Sequence, residues 1–126
     1  MQKTITGLLI IIAIIHLLPV TGVLGHQRLS ELYGLSFQET NISILMRHRA
    51  VLFGLLGSFL IYAAFKPALQ PLAFFAGFTS VVSFMAFAWL ADDYNDAVRK
   101  VVIADIVALF CLSLGGVLYI IARYQR

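Results

Sequence analysis

An all-α fold, an integral membrane four-helix bundle running up-down-up-down, follows from three features of this sequence. Hydrophobic residues make up 61% of the chain and charged residues only 12%, against roughly 45–50% and about 25% in soluble domains. The mean hydropathy of +0.95 reflects more apolar surface than one water-soluble core of this size can hide. Charges also divide the chain into four nearly uncharged stretches, and about 20 apolar residues suffice to cross roughly 30 Å of hydrocarbon. The 126 residues leave room for a single domain. A soluble α/β enzyme, a disordered tail and a disulfide scaffold are excluded.

The first stretch, residues 4–25, contains no Asp, Glu, Lys or Arg and is almost wholly aliphatic from Ile5 to Leu18. It predicts a helix over about 4–24, with Pro19, Gly22 and Gly25 bending or fraying its far end. Lys3, the apolar core and Val23-Leu24-Gly25 also resemble a secretory signal. The run is longer than a usual signal core, so retention as a span is expected. The second stretch, 50–65, reaches spanning length only if its helix begins near residue 45, which draws Arg47, His48 and Arg49 into the first turn. Residues 69–91 form the third helix. The fourth covers 99–122, interrupted by one charge, Asp105.

Connections fit this layout. Lys66-Pro67-Ala68-Leu69-Gln70-Pro71 reads as a tight hairpin, since each proline interrupts helical hydrogen bonding. A short polar turn spans 91–95. The long connection, 26–43, carries Leu29, Leu32, Tyr33 and Phe37 at roughly helical spacing, which predicts a short interfacial helix. Asn41 is placed to cap the second span; the acceptor pattern Asn41-Ile42-Ser43 is taken as chance. Tyr62, Tyr119 and Tyr124 fall near one face and Trp89 and Tyr94 near the other, the depths where such rings meet lipid headgroups.

The net charge of +3 is spread over the ends of apolar runs, where Lys and Arg reach headgroups, so no nucleic-acid partner is expected. Lys3, Lys66, Arg123 and Arg126 share the terminal face, against Arg28, Arg47, Arg49, Arg99 and Lys100 on the other. That count is nearly balanced. Lys3 ahead of the first span favours a multi-pass protein of the bacterial inner (plasma) membrane with both termini cytoplasmic.

Small residues mark the helix faces that pack closely in membranes. They are Ala50, Gly54, Gly57 and Ser58 in the second span, Ala73, Ala76, Gly77, Ser80 and Ser83 in the third, and Ala108, Gly115 and Gly116 in the fourth. Extending the second stripe back three residues reaches Arg47, and extending the fourth reaches Asp105. Both spans start from the same face, and Asp105 lies roughly 6 Å beyond Val101 along the axis. An intramembrane carboxylate seeks a partner or a wet cavity. An Asp105–Arg47 ion pair is expected, with Arg49 as second choice. His16 and His48 join these in a polar pocket for an anionic or quinone-like small molecule. If the pair is structural instead, it staples two helices.

Other chemistries lack residues. His16, His26 and His48 lie at unmatched depths, no Cys-x-x-Cys or Met-rich set exists, and the lone Cys111 reads as a small buried hydrophobe. No metal, haem or other cofactor is expected. Small multidrug transporters share the four-helix layout but rely on a glutamate in the first helix, where this chain has only His16. Gly25-His26 superficially matches the end of an adenylyltransferase signature, but Val23 stands where His or Thr belongs and no strand–loop–helix surrounds it.

At Leu45-Met46-Arg47-His48-Arg49-Ala50-Val51-Leu52-Phe53-Gly54, preceded by Leu32-Tyr33-Gly34, the chain resembles small bacterial inner-membrane proteins grouped with DoxX-like families. The resemblance covers nearly the whole length and implies four helices, a long first connection and an Arg-rich entry to the second span. Some members of these families are linked to quinone or thiol oxidation; a chain with one cysteine departs from the thiol branch. The expected function is that of an accessory or structural membrane component with no recognisable catalytic site, in a homo-oligomer or with a partner membrane subunit. The alternative is a small-molecule carrier or a quinone- or lipid-binding protein using the region of Asp105 and Arg47. The bilayer itself is the first partner.

Overall fold

The computed structural model describes residues 1–20, 25–35, 40–91 and 93–125, the side chains of His26, Arg28 and Leu29 aside. Five helices run through them: α1 (Gln2–Leu17), α2 (His26–Tyr33), α3 (Thr40–Ala64), α4 (Gln70–Leu90) and α5 (Asp96–Tyr124). By length and composition, the stretches Gln2–Val20, Thr40–Ala64, Pro67–Leu90 and Asp96–Tyr124 are each sufficient to cross a membrane.

The element ends differ from the sequence reading for local reasons. α1 stops at Leu17 and tightens into a 3-10 turn over residues 18–20, because Pro19 has no N–H to continue the α-helical ladder. α3 starts at Thr40, well before residue 45, so Asn41 lies inside the helix rather than capping it. α5 starts at Asp96. Its cap is Asn95, whose Oδ1 accepts the Val98 amide at 2.8 Å. The long first connection contains α2, ended by Gly34 in the left-handed conformation (φ 66°), with the Gly34 amide donating to the Ser30 carbonyl at 2.8 Å. Gly22 and Phe37 lie outside the described residues.

The long helices alternate in direction. Along α1, Thr6 meets Ala64, while Leu17 and Val20 approach Gly57 and Gly54, so α1 and α3 run antiparallel. Phe74 lies against Gly115 and Tyr119, and Leu112 against Gly77, which sets α4 and α5 antiparallel. α1 packs most heavily on α3 and α5, with α4 across the ring from it. Ile5, Leu9 and Ile12 of α1 fill the middle together with Leu60, Val81, Cys111 and Leu112. Large apolar side chains cover the outside as well: Phe75, Phe87, Phe110 and Trp89 are all strongly exposed.

Close approach recurs along the bundle. A Cβ at Gly57 would sit 2.7 Å from Leu17 side-chain carbons and 3.2 Å from the Ala13 carbonyl oxygen. Gly77 and Gly115 are similarly filled by Leu112 and Phe74. At the α3–α4 turn the Ala64 carbonyl, which has no amide one turn ahead, accepts from Thr6 Oγ1 at 2.7 Å and from Gln70 Nε2 at 3.3 Å. Three helices are thereby knotted at one carbonyl. Pro67 opens the short 3-10 turn that leads straight into α4.

Gly57→Val should lower stability by about 1–3 kcal/mol through overpacking, read as a reduced thermal unfolding midpoint in mild detergent. Gly7, around which nothing lies within 4 Å, is the control: Gly7→Ala should match or exceed the parent, because alanine is the better helix former.

Candidate ligand site beneath α2

At the end of the bundle where α3 and α5 begin, α2 lies across the opening. Tyr33 is buried there, with Leu32, Met46 and Val101 packed around it. Asn95 holds this arrangement together. While its Oδ1 caps α5, its Nδ2 donates to the Tyr33 carbonyl at 2.7 Å and to the Gly34 carbonyl at 3.3 Å. Gly34 permits that contact, since a Cβ there would lie 3.0 Å from Asn95 Nδ2.

Under α2 is a cavity of about 310 Å³ to which all five helices contribute. Its polar lining is His16, Glu31, Tyr33, Arg49, Ser80, Lys100 and Asp105; its apolar lining includes Ile15, Phe53, Phe84 and Val101. His16 is 3% exposed. Its Nδ1 donates to the Ile12 carbonyl at 2.9 Å, which in the neutral ring leaves Nε2 to accept the Ser80 hydroxyl at 3.0 Å. Phe53 lies beside the imidazole, ring centroids 5.8 Å apart.

Arg49 is held by rings. Its guanidinium carbon stands 4.5 Å from the Phe53 centroid, 5.6 Å from Tyr33 and 6.0 Å from Phe84, all within cation–π range. Nη1 donates to the Tyr33 hydroxyl at 2.6 Å. A guanidinium carries five N–H donors, so most remain unspent. Asp105 makes neither a hydrogen bond nor a direct ion pair among the described residues. Both line the cavity without touching.

Of the five residues singled out from the sequence, His16, Arg49 and Asp105 come together, while Arg47 and His48 are exposed and lie outside the lining. The expected Asp105–Arg47 pair is not formed; of the two arginines it is Arg49, the second choice, that shares the cavity with Asp105. Helix geometry gives the reason. At about 100° per residue, Arg49 shares the arc of Phe53, Gly57, Leu60 and Ala64. Arg47 shares the arc of Ser58, which is exposed. The buried face of α3 is Ala50, Gly57, Leu60, Ala63 and Ala64, rotated from the stripe drawn through Gly54 and Ser58.

Sequence reasoning did not find Ser80 as the imidazole's partner, the three-ring cradle, or Asn95. The last had a readable signal, an Asn immediately before a charged first turn and an apolar run. Among the described residues no three His, Cys, Asp or Glu side chains converge to hold a metal ion.

Asn95 separates two roles cleanly. Asn95→Asp retains the cap acceptor but loses the donor to α2; Asn95→Ala loses both, at about 1 kcal/mol for the cap alone. Hydrogen–deuterium exchange should accelerate over residues 26–33 in both variants, and over the first turn of α5 only in the alanine variant. Neither a protein-family model, nor a curated protein, nor a solved structure matches this chain.

Proposed function

We propose that this chain is a multi-pass protein of the bacterial inner membrane, both termini cytoplasmic, that binds the polar head of a small membrane amphiphile of the quinone or quinol class beneath α2. The observation that supports this most is unspent hydrogen-bonding capacity of opposite kinds in one cavity. Arg49 has donors to spare and Asp105 has acceptors to spare, with about 310 Å³ between their walls. In an apolar bundle, charged groups left without partners are costly. A head that accepts from the guanidinium and donates to the carboxylate relieves both costs at once. A purely anionic ligand satisfies only Arg49 and is opposed by Asp105.

A quinol ring supplies both functions from one flat body. The rings of Phe53, Phe84 and Tyr33 are suited to stack against it. The likeness of residues 45–54 to DoxX-like proteins points to the same ligand class. The other reading, an accessory subunit, leans on small-residue stripes. In this fold Ala50, Gly57, Ala73, Gly77, Ala108 and Gly115 are buried between helices of one chain, while Ser58 and Ser83 remain exposed, so most of each stripe packs within one chain.

Native mass spectrometry of the protein released from mild detergent distinguishes the two. A retained molecule of quinone mass supports the pocket; an empty chain bound to another protein supports the accessory role. In a titration with decylubiquinol, kept reduced under anaerobic conditions, Arg49→Gln and Asp105→Asn should each weaken binding by about 10–100-fold, the loss of one hydrogen bond to a charged group. Arg47→Gln should bind as the parent does. Equal losses at Arg47 and Arg49 would overturn the assignment.

A further inference from the structure

A second cavity, about 350 Å³, opens on the flank of the bundle between α3 and α4 alone. Leu52 and Leu56 form one bank and Ser83 and Phe87 the other, while Arg49, Phe53, Ser80 and Phe84 form a wall shared with the cavity beneath α2. Leu52 and Phe87 are exposed at its rim. The α4 bank runs from Ser80 to Phe87, about 10 Å at 1.5 Å per residue.

Its serine hydroxyls are occupied. Ser83 donates to the Ser80 carbonyl at 3.0 Å, and the Ser80 hydroxyl is engaged with His16. A hydrocarbon chain lying here therefore covers no serine hydroxyl that needs water. The two cavities differ in access. The head cavity is roofed by α2, held by the Arg49–Tyr33 and Asn95–Tyr33 bonds. Among the described residues no element crosses the groove, because α3 and α4, joined at the Lys66–Leu69 turn, leave a gap between their far halves.

We infer that this groove is the tail site of the same ligand, and that the amphiphile enters sideways from the bilayer between α3 and α4 instead of from the aqueous side. This rests on the head site proposed above and extends it to a ligand class: a flat, polar ring carrying a single linear apolar chain. The common wall orders the two parts, with the ring passing Phe53 and Phe84 toward Arg49 and Asp105 and the chain trailing between Leu52 and Phe87.

The test compares the hydroquinone of dimethoxy-methyl-benzoquinone, which lacks a tail, with its decyl derivative, decylubiquinol, both kept reduced under anaerobic conditions, on the purified protein in the same detergent. The measured quantity is the ratio of their affinities, so partition into detergent cancels between variants. Ser83→Trp fills the groove from an exposed position, and Leu52→Trp does so from the opposite bank. Each should reduce the ratio by about 10-fold or more, the scale on which an apolar pocket discriminates by fit. An unchanged ratio in both variants, with the tail-less ring still binding, overturns the tail site and leaves the head site standing. Failure of the ring to bind the parent protein overturns both. A decyl chain ending in a diazirine gives an answer that needs no variant: labelling should fall on residues 52–56 and 83–87, and labelling confined to α1 or α5 would sink the proposal.

Discussion

A guanidinium inside an apolar helical bundle must be solvated by something other than bulk water, and the way Arg49 meets that demand organises the end of the molecule where it lies. Three aromatic faces and one phenol hydroxyl surround it. Because the phenol belongs to Tyr33, the demand fixes α2 over the bundle mouth. Because two of the rings belong to α3 and α4, it also keeps these helices from closing onto each other. A carboxylate in contact with Arg49 would have satisfied the charge and filled the space. Its solvation by rings leaves the space open and leaves Asp105 unmatched across it.

The opposite end obeys a different rule. There the Ala64 carbonyl takes two side-chain donors from α1 and α4, and Gly77 and Gly115 are filled by Leu112 and Phe74. Gln70 completes this knot while fully buried, though its Oε1 has no partner among the described residues. The tight end supplies packing, and the loose end supplies polar groups with capacity in reserve. Loss of packing at the second end is what a binding cavity requires.

Much of the architecture was legible in the sequence because charges punctuate it: the four long apolar stretches are bounded by Lys3, the Arg47–Arg49 cluster, Lys66 and Asp96. The rotation of α3 was not. In a soluble helix the polar face marks the outside, but α3 carries Leu52, Leu55 and Ile61 outward and Leu60 inward, so hydrophobicity does not separate the faces. Small residues then became the guide, and Gly54 and Ser58 pulled the stripe toward Arg47. The correct arc depended on contacts with Leu17 and Ala13, which belong to another helix. The Tyr33–Arg49 bond and the Asn95 tether have the same character. They join segments 16 and 62 residues apart, beyond what spacing can reveal.

Asn95 has one more consequence. A single side chain terminates the unpaired amides of α5 and grips the carbonyls of α2, so these two helices form one lever. Lifting α2 from the bundle mouth frays the first turn of α5, and anything that orders that turn presses α2 down. A force on α2 would thus be felt along the helix that bears Asp105, without any contact to that residue.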